Sequence, residues 1–210
     1  MNTESALEGT QWLPKWIPDE ALRYLAHVEA GRSLRSIARE TGCHASTILR
    51  QVRRTEQRRD DFLVDLALRR LEHRHDGATQ TSKTGKASSM TSQSAALQDD
   101  LTGDSELREK APRLLRRLNE SGAMLAIARD MEKAVIVRDM PDGQTMRTAV
   151  VDRPLAEAMA LKDWITIVSD GRISRYRITN PGRMALKRFM AQEEAMRVGM
   201  GEGADPCSEQ

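Results

Sequence analysis

The sequence predicts a mainly α protein with a small α+β part, and three observations carry that reading. Residues 16–75 hold apolar side chains at helical spacing in successive blocks broken by glycine or by charged residues. Residues 105–195 mix such blocks with short alternating ones, for example KAVIVRD at 133–139. Between them, residues 76–104 are dominated by Ser, Thr, Gly and Gln and contain no aromatic residue, so they cannot bury enough surface to offset their ordering entropy. In a chain of 210 residues this gives a flexible N-terminus at 1–15, a helical domain at 16–75, a flexible linker at 76–104, an α+β domain at 105–195 and a disordered tail at 196–210.

The first helix starts at Pro18, where the fixed φ suits entry and Asp19 and Glu20 favour the positive N-terminal end; Gly31 stops it. Leu22, Leu25, Ala26 and Val28 form its expected buried side, and Trp12 and Trp16 are placed to pin the preceding segment to this domain. Ser33 caps a second helix with Leu34, Ile37 and Ala38 on one face, and Gly42 ends it in the left-handed region. A third helix begins near His44, and Ala45, Ile48, Leu49 and Val52 form an i, i+3, i+4, i+7 stripe. A fourth spans Asp60 to His75, apolar around much of its circumference. Its expected partner is the three-helix unit, with a second copy in a homodimer as the alternative.

In the α+β domain, residues 106–122 read as a helix with Leu114, Leu115 and Leu118 inward. AMLAIA and KAVIVRD read as strands around a turn at Arg129–Glu132, Pro141–Gly143 reads as a turn, and MRTAVV as a third strand. A helix follows from Pro154 to Asp163. Two alternating strands then flank Asp170–Gly171, a preferred two-residue hairpin turn, before a last helix that packs through Leu186, Phe189 and Met190. The helix, two-stranded wing and closing helix read like a winged helix, and Arg172, Arg175 and Arg177 put positive charge on or near the wing. The usual helix pair before the wing is not evident. A second nucleic-acid contact and a protein-docking role both stay open for this domain.

Overall charge is only +2, but it is unevenly spread: from Arg32 to Arg59, eight arginines face two glutamates, Glu40 and Glu56. Such a concentration on one element is the footprint expected for a phosphate-rich partner. The third helix has the matching design. Its apolar stripe anchors one side, while His44, Ser46, Thr47, Arg50 and Gln51 are the residue types that contact base edges in the major groove. Arg53, Arg54, Arg58 and Arg59, with Arg32, Arg35 and Arg39 around the preceding helix, suit phosphates, which give affinity without sequence information. Double-stranded DNA is therefore the expected partner.

Residues 31–54 resemble the helix-turn-helix segments of bacterial regulators and recombinases. MEKAVIVRD, TAVVDRPLAEAMALKDWI and GRISRYRITNPGRMALKRF resemble the uncharacterised C-terminal domains that follow a helix-turn-helix in an alphaproteobacterial family. Its best-known members activate gene-transfer-agent clusters, the GafA and GafY type. The resemblance implies a transcriptional activator that binds promoter DNA and works with RNA polymerase and a separate sigma-like co-activator protein. A protein-docking adaptor and a recombinase-accessory DNA-binding protein are the alternatives.

Enzymatic and cofactor chemistry finds no support in the sequence. His73 and His75 lie two apart on a helix and point in different directions, which does not suit a metal. Gly85–Lys86 lacks the glycine spacing and the hydroxyl of a phosphate-binding loop. Asp60–Asp61 and Asp99–Asp100 have no accompanying base, and Cys43 beside His44 is read as incidental. The expectation is no enzyme activity, no cofactor and no metal. Two isolated cysteines, no signal segment and no apolar run long enough to span a bilayer point to a cytoplasmic, nucleoid-associated protein with no membrane contact.

Overall fold

Helix α1 (Asp19–Val28) begins at Pro18, with Asp19 and Glu20 in its first turn. Its buried side is Ala21, Tyr24 and Leu25. Leu22 and Ala26 are only half-buried and Val28 is exposed, so the inward face is rotated toward the aromatic ring and away from the expected Val28. The Ser33 hydroxyl accepts from the Ser36 N–H at 3.2 Å and starts α2 (Leu34–Thr41). Gly42, at φ +63°, ends it, since a side chain there would be strained. Helix α3 (Ala45–Arg58) follows, then α4 (Phe62–Thr81) and α5 (Asp104–Leu118). The computed structural model describes residues 13–81, 101–139 and 144–199. The expectations for Trp12, the Pro141–Gly143 turn, residues 82–100 and residues 200–210 fall outside these.

Strands β1 (Ala123–Ala128), β2 (Lys133–Asp139) and β3 (Thr145–Asp152) precede α6 (Arg153–Leu161); β4 (Ile165–Ser169), β5 (Ile173–Ile178) and α7 (Asn180–Gly199) complete the described chain. The strands form one antiparallel sheet in the order β3-β2-β1-β5-β4. The β4–β5 hairpin is not a free wing, because β5 pairs with β1 on its other side, Leu125 opposite Tyr176. Alternation sets the two faces of the sheet. Leu125, Ile136, Val151 and Tyr176 are buried beneath α5 and α6, whereas Val150, Ile173 and Arg175 are exposed on the opposite face. The protein is thus mainly α with a small β part.

The two parts of the chain share one core. Helix α4 buries Leu63, Val64, Ala67, Leu68 and Leu71 and packs on both α1 and α6. It runs on to Thr81, past the expected end at 75. Leu101 and Thr102, expected in the linker, are buried. Trp16 explains why: its indole N–H donates to the Thr102 carbonyl at 2.7 Å, and its backbone N–H to Asp104 at 2.9 Å. The N-terminal segment is therefore pinned to the start of α5 rather than within the first helices. On the far side, the Tyr176 hydroxyl donates to Asp61 at 2.9 Å, and the same Asp61 oxygen accepts from the Leu63 N–H at 3.0 Å at the start of α4. Burial pushes the Asp61 carboxyl up, against these hydrogen bonds. In α7, Leu186 is buried and Phe189 meets Trp164 edge-on at 5.7 Å, but Met190 is exposed, contrary to its expected core place.

Candidate functional site

Helix α3 is amphipathic by sequence, and its packing follows the pattern. Ile48 and Val52 are buried, Ala45 and Leu49 half-buried, and Ser46, Thr47, Arg50, Arg53 and Arg54 exposed on the other side. Burying Ile48 and Val52 stabilises the helix by about 1.5–3 kcal/mol for each fully buried aliphatic side chain. That anchor leaves the polar face free. His44 closes the N-terminal end: its Nδ1 accepts from the Ser46 backbone N–H at 3.3 Å and from the Ser46 hydroxyl at 2.7 Å. His44 and Ser46 are exposed but already bonded to each other.

Gln51 is less available than its spacing implied. It is half-buried, and its side-chain carbonyl accepts from Arg23 at 2.8 Å. Arg23 also meets Asp19 at 3.5 Å. The first turn of α1, Pro18 to Glu20, thereby forms one wall of a shallow cleft whose other wall is Thr47, Arg50, Gln51 and Arg54. Two carboxylates, Asp19 and Glu20, border the polar face of α3 here.

The seven arginines expected on phosphates divide into groups. Arg35 and Arg39 on α2 and Arg53 on α3 are exposed, with no polar partner among the described residues. Arg32 is half-buried and ion-paired with Glu40. Arg54 is exposed and faces Asp163 at 3.7 Å. Arg58 and Arg59, expected on phosphates, are half-buried and bonded to other parts of the chain. Arg58 donates to the Ala160 and Leu161 carbonyls at 2.6 and 3.2 Å, at the C-terminal end of α6, where a cation is favoured by the helix dipole. Arg59 meets Asp65 and Glu72 at 3.0 Å each and donates to the Tyr24 hydroxyl at 2.9 Å.

The second basic set behaves differently. Arg172 lies in the β4–β5 turn, and Arg175 and Arg177 point from β5 to the open side of the sheet; all three are exposed. The turn itself is fixed by Asp170, which accepts from the Ser174 hydroxyl at 2.8 Å, the Gly171 N–H at 3.0 Å and Arg129 at 3.1 Å. These three arginines are not brought next to the α3 face in any described contact.

Sequence reasoning gave Asp163 and Glu157 no role and set Asp61 aside as a carboxylate with no accompanying base. Asp163 follows α6 in the left-handed region at φ +60°, where a short polar side chain is better tolerated than most. No group of three or more His, Cys, Asp or Glu is placed to hold a metal among the described residues, and no described helix is long and apolar enough to cross a membrane. Comparison with protein-family models, with curated proteins and with solved structures finds no match to this chain.

Proposed function

We propose that α2, the Gly42 turn and α3 act as a helix-turn-helix that reads duplex DNA. The observation that carries the reading is one helix with Ile48 and Val52 buried on one side and Thr47, Arg50 and Arg53 exposed on the other. A helix of that design fits the major groove, while α2 crosses the backbone. The base-reading set is Thr47 and Arg50 first, with His44, Ser46 and Gln51 at its margins. The phosphate set is Arg35, Arg39 and Arg53, with Arg54 beside them but paired with Asp163.

The resemblance in sequence extends this to a transcriptional activator of gene-transfer-agent genes, acting at promoters in the cytoplasm with RNA polymerase and a sigma-like co-activator. In that reading the second part is a variant of a winged helix, and its sheet and Arg172, Arg175 and Arg177 serve the protein partner. A protein-docking adaptor is the second reading. It is favoured by Asp19 and Glu20 beside Arg50, because carboxylates repel phosphates but suit a mixed-charge protein surface.

Binding of duplex DNA from upstream of such genes, followed by fluorescence anisotropy over a range of salt, tests the proposal. Affinity should fall steeply with salt. Arg50→Ala should reduce discrimination between cognate and unrelated duplexes by about 1–3 kcal/mol. Arg53→Ala should weaken all duplexes alike and reduce the salt slope by about 1. Variants that match the parent at every salt concentration would remove α3 as the reader. Absence of any duplex binding at about 50 mM salt would favour the adaptor.

A further inference from the structure

Positions 50, 54 and 58 lie on one stripe of α3, one turn apart. Along it the arginines change character: Arg50 is open, Arg54 faces Asp163 at 3.7 Å, and Arg58 is internal, with Asp163 at 3.9 Å. Asp163 belongs to the other part of the chain, just past α6. Its place is fixed by the backbone. The Asp163 N–H donates to the Ala160 carbonyl and the Trp164 N–H to the Met159 carbonyl, both at 2.9 Å, and φ is +60°. The same corner is tied down by Lys162, which donates to the Trp16 carbonyl at 2.9 Å, and by the Thr179 N–H on the Trp164 carbonyl at 3.0 Å. Arg58 has two carbonyl acceptors besides this carboxylate, whereas Arg54 has Asp163 as its only ion-pair partner among the described residues.

We infer that Asp163 is an electrostatic guard on the nucleic-acid face: it neutralises Arg54 and holds that cation back from phosphate. This rests on the DNA reading above and adds a regulatory link from the α6–β4 corner to α3. A phosphate that approaches Arg54 meets a carboxylate anchored at its backbone beside that guanidinium, and at that range the repulsion is well inside the screening length. Arg54 therefore releases fewer counterions than a free arginine. A cationic group of a partner, set against Asp163, would free Arg54 and strengthen DNA binding.

The test is duplex binding by Asp163→Asn and Asp163→Gly, two residues that tolerate the left-handed backbone. Both variants should bind duplex about twofold to fivefold more tightly than the parent, the range of one exposed ion pair. Their salt slope should steepen by about 0.9, one further phosphate contact. In an Arg54→Ala background the gain should vanish. If the parent binds duplex and both Asp163 variants match it in affinity and slope, or gain equally without Arg54, the guard is wrong and the DNA reading stands. If neither parent nor variants bind duplex at about 50 mM salt, the DNA reading fails and the guard fails with it.

Discussion

Gly182→Ala is expected to destabilise the protein by roughly 3 kcal/mol, the upper part of the range for overpacking a filled site. In a helix interior the same change normally stabilises by about 0.5–1 kcal/mol, so two effects of opposite sign compete. The neighbours decide the outcome. Gly182 is buried in the first turn of α7, and a Cβ there would overlap the Trp164 carbonyl oxygen and sit 3.0 Å from Ile178 Cγ1. That carbonyl cannot retreat cheaply, since it accepts the Thr179 N–H at 3.0 Å. Denaturant midpoints for the parent, Gly182→Ala and Gly171→Ala check this. Gly171 has open space around its Cβ position, so its variant should stay within about 0.5 kcal/mol of the parent. Equal midpoints for all three would show that the α7–β4 contact yields easily to an added methyl group.

Stability should also fall as the pH rises from about 4.5 to about 7, and Glu157 is the cause. This residue of α6 is buried, with Arg70 Nε of α4 at 2.8 Å from one carboxylate oxygen and no hydrogen-bond partner on the other. Burial pushes its carboxyl up from 4.5 to about 7, against the opposing pull of Arg70 and Arg153. The folded protein therefore holds this proton more firmly than the unfolded chain does. The stability linked to the protonated form is complete below about pH 4.5 and is lost as the pH climbs through about 7. Each tenfold gain in proton affinity is worth about 1.4 kcal/mol, so the full change is roughly 3 kcal/mol. Glu157→Gln removes the titration, so the difference between parent and variant in urea unfolding at about pH 5 and about pH 8, on either side of the folded-state value, isolates it. Parallel profiles would mean that Glu157 stays ionised throughout.

Local chemistry was legible in the sequence; distant partners were not. The Ser33 cap, the Gly42 stop and the stripe through Ile48 and Val52 follow from residues within one or two turns of each other, and each is present. The strands were likewise visible, but the turn expected as two residues at Asp170–Gly171 takes three, 170–172, between β4 and β5, whose register shifts between Ile167 and Ser169. The internal acceptors of Arg58, the Ala160 and Leu161 carbonyls, were not legible because they lie 102 and 103 positions away and carry no side-chain signature. The internal bonds of Arg59 were hidden for a different reason. Its partners Asp65 and Glu72 were in view, but whether a charged cluster turns inward depends on how α4 folds back over α1. Glu157 gave no warning at all, since a lone glutamate among alanines looks like the wet side of a helix. Gln51 shows the converse: its residue type suits adenine, yet Arg23 already occupies its side-chain carbonyl.

The grip of Arg58 on the last turn of α6 ties the helix proposed to read DNA to the sheet-bearing part of the chain. If α3 enters the groove as proposed, the azimuth of the sheet around the double helix is no longer a free variable, because α3, α4 and α6 share one core. A polymerase component bound to that sheet would be delivered to one side of the duplex only. Displacing the recognition site by about five base pairs, half a helical turn, would carry it to the opposite side. On the proposed reading, action at a distance along DNA would thus be periodic in the spacing rather than monotonic.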